Sequence, residues 1–189
     1  MGMTGAGKTY FIKHVTGLDE MEIGHGLKSC TKDIQIATTQ IDGYEVHLID
    51  TRGFDDENLN DTDILLEIAD YLKTGVILSG IIYLHPMDRT RMGGTGKRNL
   101  KLLQNLVGRN NMGNVKLITS KWNGVTPEDG NRRLDELVKD FWNGMITAGA
   151  QVDSYNGTEE DGKRIVQNIL KTSPPFNSCS NRSYKKDVK

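Results

Sequence analysis

Gly2-Met3-Thr4-Gly5-Ala6-Gly7-Lys8-Thr9 opens the chain and decides its fold. The stretch fits G-x-x-x-x-G-K-[ST], a pattern in which each residue type has a physical task. Gly2, Gly5 and Gly7 let the backbone turn tightly, because no Cβ intrudes. The amides of Gly5, Ala6, Gly7 and Lys8 can then converge as a concave nest around an anion. The helix that follows adds the positive end of its dipole. Such a loop suits nucleotide phosphates. Lys8 sets a point charge against the β- and γ-phosphates, and the Thr9 hydroxyl is a ligand for Mg²⁺. Tyr10, next in the chain, is counted with the nucleotide-binding residues.

A loop of this type runs from a strand into a helix. Here only Met1 stands before Gly2. The expectation is therefore that the central leading strand is absent, leaving two neighbouring strand edges unpaired. A chain in that condition is expected to be marginal or insoluble when made alone. About seven apolar residues placed before Met1, a normal strand length, are expected to rescue it.

The length of 189 residues suits one domain with a real core. Hydrophobic content is 36% and mean hydropathy is -0.50. The net charge of -1 gives no electrostatic case for nucleic acid. Cys30 and Cys179 lie far apart without metal-type spacing, which reads as reduced thiols and a cytoplasmic location. No apolar run approaches the ~20 residues of a membrane span.

Outward from the loop, residues 8–15 read as a helix with Phe11, Ile12 and Val15 inward. Residues 33–39 and 45–50 read as a hairpin about the Asp42-Gly43 turn, so one strand of the sheet should be antiparallel. A helix is expected to start near Asp61. Residues 78–84 and 115–120 are continuous apolar runs, as in strands buried on both faces. Between them lie a basic loop, 85–98, and a helix, 99–107. Pro127 opens a long helix to about Ile146 with Leu134, Leu137, Val138 and Phe141 inward. A short strand, 151–155, and a helix, 159–171, complete the domain. Strands alternating with helices predict a three-layer α/β/α domain over 1–172, with a mostly parallel sheet and a polar tail, 173–189, expected to be disordered.

Ligand chemistry in such sheets gathers at the carboxyl ends of strands. Asp50-Thr51-Arg52-Gly53 follows an apolar strand and forms D-x-x-G. Asp50 is expected to hold Mg²⁺ through water, and the Gly53 amide to bond the γ-phosphate. Thr31, in the loop before the hairpin, is the candidate that closes over Mg²⁺ and the γ-phosphate. Ser120-Lys121-Trp122-Asn123 stands where a base is read. Lys121 can stack its stem on the base. Asn123 offers an amide oxygen in place of a carboxylate, and a charge-assisted bond is about twice as strong as a neutral one. Trp122 is as readily core packing as a base contact.

The loop at 2–9, Gly-His-Gly-Leu-x-Ser-Cys-Thr at 24–31, Leu-Ile-Asp-Thr-x-Gly-Phe-Asp-Asp at 48–56, Ser-Gly-Ile-Ile-Tyr-Leu-His at 79–85 and Arg-Met-Gly-Gly at 91–94 resemble the fungal G-domain proteins. These are related to the septin, immunity-associated and chloroplast import-receptor GTPases. The resemblance covers residues 1–172. It implies a Ras-like domain that binds GTP or GDP with Mg²⁺, and a nucleotide state that governs pairing with another G domain. The expected protein is a molecular switch with slow GTP hydrolysis, in which Lys8, Thr31 and Gly53 act on the phosphates. Its expected partner is a second copy or a related G domain across the nucleotide face, with no nucleic acid. Phe54 stands where Ras-like enzymes place a glutamine, Arg52 replaces a proline, and Asn123 replaces an aspartate. In the related families the loop after the 78–84 strand lies near the dimer interface, so Arg91, or Arg89, is expected to act in trans. Two alternatives are a pseudo-GTPase serving as an assembly module and a phosphate-loop NTPase that uses ATP.

Overall fold

In a computed structural model of the chain, residues 1–18, 22–23, 35–51 and 78–172 are described. The phosphate loop runs into α1 (Lys8–Thr16), which buries Phe11, Ile12 and Val15 as the 3–4 spacing requires. A left-handed Gly17, φ 69°, ends it. The two-residue β1 (Glu22–Ile23) pairs antiparallel with β2 (Gln35–Ile41). β2 turns through Asp42-Gly43 into β3 (Tyr44–Asp50), pairing Ile41 with Tyr44 and Gln35 with Asp50. Both turn residues have positive φ, as the tightest hairpin turns demand.

β4 (Ile81–Pro86), β5 (Val115–Ser120) and β6 (Gln151–Ser154) form a parallel sheet in that order. Its strands alternate cleanly between faces. Ile81, Tyr83, Val115 and Leu117 pack on one side, where α2 (Gly94–Val107) contributes Leu100, Leu103 and Val107. Leu84 and Ile118 face the other side, against α1 and α5 (Glu159–Thr172). The long helix is interrupted. α3 (Pro127–Glu136) passes through a wide π turn at Leu137–Trp142 into α4 (Asn143–Thr147). Thr126 caps its start, its hydroxyl accepting from the Asp129 amide.

The described strands make two three-stranded sheets, one antiparallel and one parallel. Several expectations are corrected. The parallel strand starts at Ile81 and reaches Pro86, so His85 is a buried strand residue and not the head of a loop. α2 begins at Gly94, five residues' worth of glycine-rich sequence earlier than periodicity suggests. The π turn shifts the apolar face of the long helix, so that Leu137, Trp142 and Met145 are the buried residues while Leu134, Val138 and Phe141 are half-buried.

The position of the leading strand is also resolved in part. Gly2 bridges Leu84 in parallel, the Leu84 amide donates to the Met1 carbonyl at 2.9 Å, and the Met1 amino group donates to the Ile82 carbonyl at 2.7 Å. Met1 and Gly2 therefore pair with β4 immediately before the loop. Behind them, between β3 and the 78–84 segment, lies an apolar cavity of about 240 Å³. Phe11, Val46, Leu48, Ile82, Ile169 and Leu170 line it. The expected helix near Asp61 and the 173–189 tail lie outside the described residues.

Candidate functional site

The loop adopts the conformation that its glycines predict. Gly2, Gly5 and Gly7 have φ of 139°, 77° and 91°, all in the region that favours glycine. At Gly2 space is limiting as well, since a Cβ there would lie 2.4 Å from the Leu84 carbonyl oxygen. A Cβ on Gly7 would meet nothing within 4 Å, so this part of the loop opens outward. Ala6 is fully buried, and its carbonyl accepts from the Ser120 hydroxyl at 2.8 Å. That bond fixes the loop to the end of β5.

Lys8 Nζ donates to the carbonyls of Gly2 and Met3, each at 3.1 Å. The ammonium thus sits across the mouth of the loop, where nucleotide phosphates are cradled. The Thr9 hydroxyl donates to Asp50 Oδ2 at 2.5 Å. Asp50 ends β3 and is buried, and its Oδ1 has no hydrogen-bond partner among the described residues. A hydroxyl and a carboxylate with one orphan oxygen, beside a phosphate nest, are the oxygen donors that a hard cation such as Mg²⁺ takes. The donor set therefore fits the ion. Thr31 and Gly53, the other two residues expected at the phosphates, lie outside the described residues, as do His25, Arg52 and Phe54.

The Ser120–Asn123 loop, where a base is expected to be read, follows β5. Lys121 takes a left-handed conformation, φ 58° and ψ 42°, and starts a short turn at Trp122–Gly124. Its ammonium pairs with Asp88 at 3.2 Å. Trp122 is a packing residue. Its ring lies where a Cβ on Gly130 would come within 2.8 Å, and its Nε1 donates to Thr119 Oγ1 at 3.0 Å. Asn123 is exposed in the same turn. Tyr10 is exposed too, stacks on His14 with ring centroids 3.9 Å apart, and donates from its hydroxyl to the Gly157 carbonyl at 3.4 Å. Its side chain faces the β6–α5 turn.

The loop after β4 carries the contacts that composition alone leaves unplaced. Arg89 Nη2 donates to the Thr4 carbonyl at 2.8 Å. Arg91 is exposed and stands with Met92 and Phe141 at the rim of a small recess. His85 lies beneath, with its ring edge-on to Trp142 at 6.0 Å. Burial, aided by the Arg89 charge, pushes the His85 ring down to about 4. It is neutral at physiological pH. Sequence reasoning missed Ser120, Asp88 and His85. Only their places at strand ends mark them, and that signal needs correct strand boundaries.

The comparisons agree with this geometry. Residues 1–93 match the family described as 50S ribosome-binding GTPase. GTP-binding protein A of Dictyostelium discoideum is 26% identical over 138 residues, which are 72% of this chain and 30% of that protein. The chain thus spans about a third of that relative. Toc33 of Arabidopsis thaliana, solved with Mg²⁺ and GMPPNP, superposes with TM-score 0.70 at 15% identity, over 93% of this chain and 85% of that one. The G domain of the Thermotoga maritima iron transporter FeoB superposes with TM-score 0.54 at 17% identity, covering 89% and 92%. Among the described residues no helix is long and apolar enough to cross a membrane. The phosphate loop, the Thr9–Asp50 pair, the family match over residues 1–93 and the superposition lead to one conclusion: this chain has the α/β fold of a phosphate-loop G domain.

Proposed function

We propose that the chain is a nucleotide-dependent switch that hydrolyses GTP slowly with Mg²⁺ and is controlled by pairing of G domains. The observation that carries this reading is the Thr9–Asp50 contact at 2.5 Å beside Lys8. These residues would hold the ion, with Thr31 as a further ligand, and Mg²⁺ when bound would neutralise charge on the β- and γ-phosphates. Lys8 neutralises phosphate from the loop side, and the amides of Gly5, Ala6 and Gly7 orient it. Gly53 would bond the γ-phosphate. Phe54 has no group to orient water, which supports slow turnover.

Pairing has support in the neighbours. Dimerisation is important for the GTPase activity of the chloroplast translocon components atToc33 and psToc159, and an arginine-to-alanine mutant of Toc33 is dimerisation-deficient. Here Arg91 is the exposed arginine offered to a partner's nucleotide face. Base reading rests on Lys121 and Asn123. The engagement of Lys121 with Asp88 and the neutral Asn123 amide favour, as a second reading, a relaxed base preference that admits ATP.

The test is binding of fluorescent GDP and a non-hydrolysable GTP analogue with and without Mg²⁺, competed by GTP and ATP. GTP competes and ATP does not on the first reading. Asp50→Asn is expected to weaken Mg²⁺-dependent binding about 10–100-fold while leaving the thermal melt unchanged, since a lost ion contact is a lost charge-assisted interaction. Equal binding by Asp50→Asn and the parent would remove Asp50 from the ion site.

A further inference from the structure

We infer that Arg89 contacts the terminal phosphate of the nucleotide bound on its own chain. This rests on the GTP-binding reading above and deepens it by adding a second cation in cis. Three successive carbonyls of the phosphate loop are occupied by cationic side chains. Lys8 takes those of Gly2 and Met3 at 3.1 Å, and Arg89 takes that of Thr4 at 2.8 Å. The two cations therefore share one rim of the loop. A Cβ built on Gly5 would meet Arg89 Nη2 at 3.8 Å and nothing else within 4 Å. The guanidinium is thus the group that faces the middle of the nest from outside.

The segment that carries Arg89 is held on three sides. The Met87 amide donates to the Ser120 carbonyl at 2.8 Å, and Arg133 Nη1 donates to the Met87 carbonyl at 2.6 Å. Asp88 pairs with Lys121 of the base-reading turn at 3.2 Å. Met87 itself is 1% exposed. One short turn therefore ties the base-reading loop to the phosphate loop, and the arginine emerges from its anchored end. The guanidinium donates to a neutral carbonyl of the loop. A phosphate oxygen is a charged acceptor, and such bonds are about twice as strong and suit the planar arginine fork. Arg91, two residues further on, has no place on this rim.

Arg89→Ala and Arg89→Lys test the inference through the ratio of affinities for the non-hydrolysable GTP analogue and GDP. Arg89→Ala is expected to lower affinity for the analogue about tenfold and to leave GDP within twofold, because only the terminal phosphate is lost as a partner. Arg89→Lys should recover part of the loss. Single-turnover hydrolysis by Arg89→Ala should fall about 10³-fold, and by the same factor at every protein concentration. Adding Lys8→Ala chains, which keep Arg89, should not restore it. Restoration by those chains would overturn the inference and move Arg89 to the partner's site. An unchanged ratio in Arg89→Ala, with both nucleotides bound normally, would overturn it while leaving the GTP reading intact. If the parent chain binds neither nucleotide, the GTP reading itself fails and takes the inference with it.

Discussion

The two halves of the sheet are built to different standards. In the parallel half, β4, β5 and β6 are consecutive neighbours, and helices cover both faces. Tyr83, Leu103, Val115, Leu117, Trp142 and Met145 are each fully buried there. In the antiparallel half, β2 and β3 pair fully, and among the described residues of these two strands only Ala37, Ile41 and Val46 are buried hydrophobics. The halves meet across the cavity of about 240 Å³ behind Met1. The site spans them. Lys121, Asn123 and Arg89 come from the parallel side, and Asp50 from the antiparallel side. On the proposed reading, the base-facing residues sit on the close-packed half and the ion-facing carboxylate on the looser one.

The largest expected effect comes from removing the difference. Fusing six residues of alternating Val and Ile before Met1 should fill the cavity and join the sheets. Three inward side chains at ~1.5–3 kcal/mol each give about 5 kcal/mol. For a chain of this size that is a rise in Tm of roughly 10–20 °C, read by a thermal melt. An unchanged Tm would mean that β3 already closes on β4 in solution.

Next, the two cores can be probed separately. Trp142→Ala should cost about 3–5 kcal/mol in urea denaturation, as a large void opens in dense surroundings. Val46→Ala should cost about 1 kcal/mol, because its side chain already lines the cavity and little packing is lost. Equal costs would erase the contrast.

The close-packed half also predicts a pH slope. His85 belongs to the close-packed half, and its ring is held at about 4 against an ordinary 6.5. Below pH 6.5 the unfolded chain binds a proton that the folded chain refuses. Stability is therefore full above 6.5 and falls as pH drops toward 4, by about 3 kcal/mol in all. A flat limb between those values in the parent, or an unchanged limb in His85→Phe, would show that the ring is wetter than its surroundings imply.

The parts of this molecule written in local pattern were legible from the chain alone. The phosphate loop needs glycines at fixed offsets, and Gly2, Gly5 and Gly7 take positive φ as required. The hairpin follows from Asp42-Gly43, and the parallel strands from unbroken apolar runs. What failed depends on partners distant in sequence. α2 starts on Gly94-Thr95-Gly96, poor helix formers. Tertiary packing overrides propensity there: Gly96 is buried, and a Cβ on it would run 2.4 Å from Met92 Sδ. His85 reads as polar and belongs to a buried strand, its ring sheltered by Trp142. At the candidate site, Thr9 donates to Asp50, and Lys8 bonds the Gly2 and Met3 carbonyls of the loop. Asp88 and Arg89 took their places through the anchored turn after β4.

The π turn at Leu137–Trp142 has a bearing on counting. A π turn holds one residue more than the regular helix it interrupts. Deleting a single residue there would restore uniform helical winding and leave the residues after it on the faces they occupy now. Met145, fully buried, would stay in the interior. A shorter relative aligned without a gap at this point would be out of phase with this chain from Asn143 onward, with its inward and outward residues exchanged.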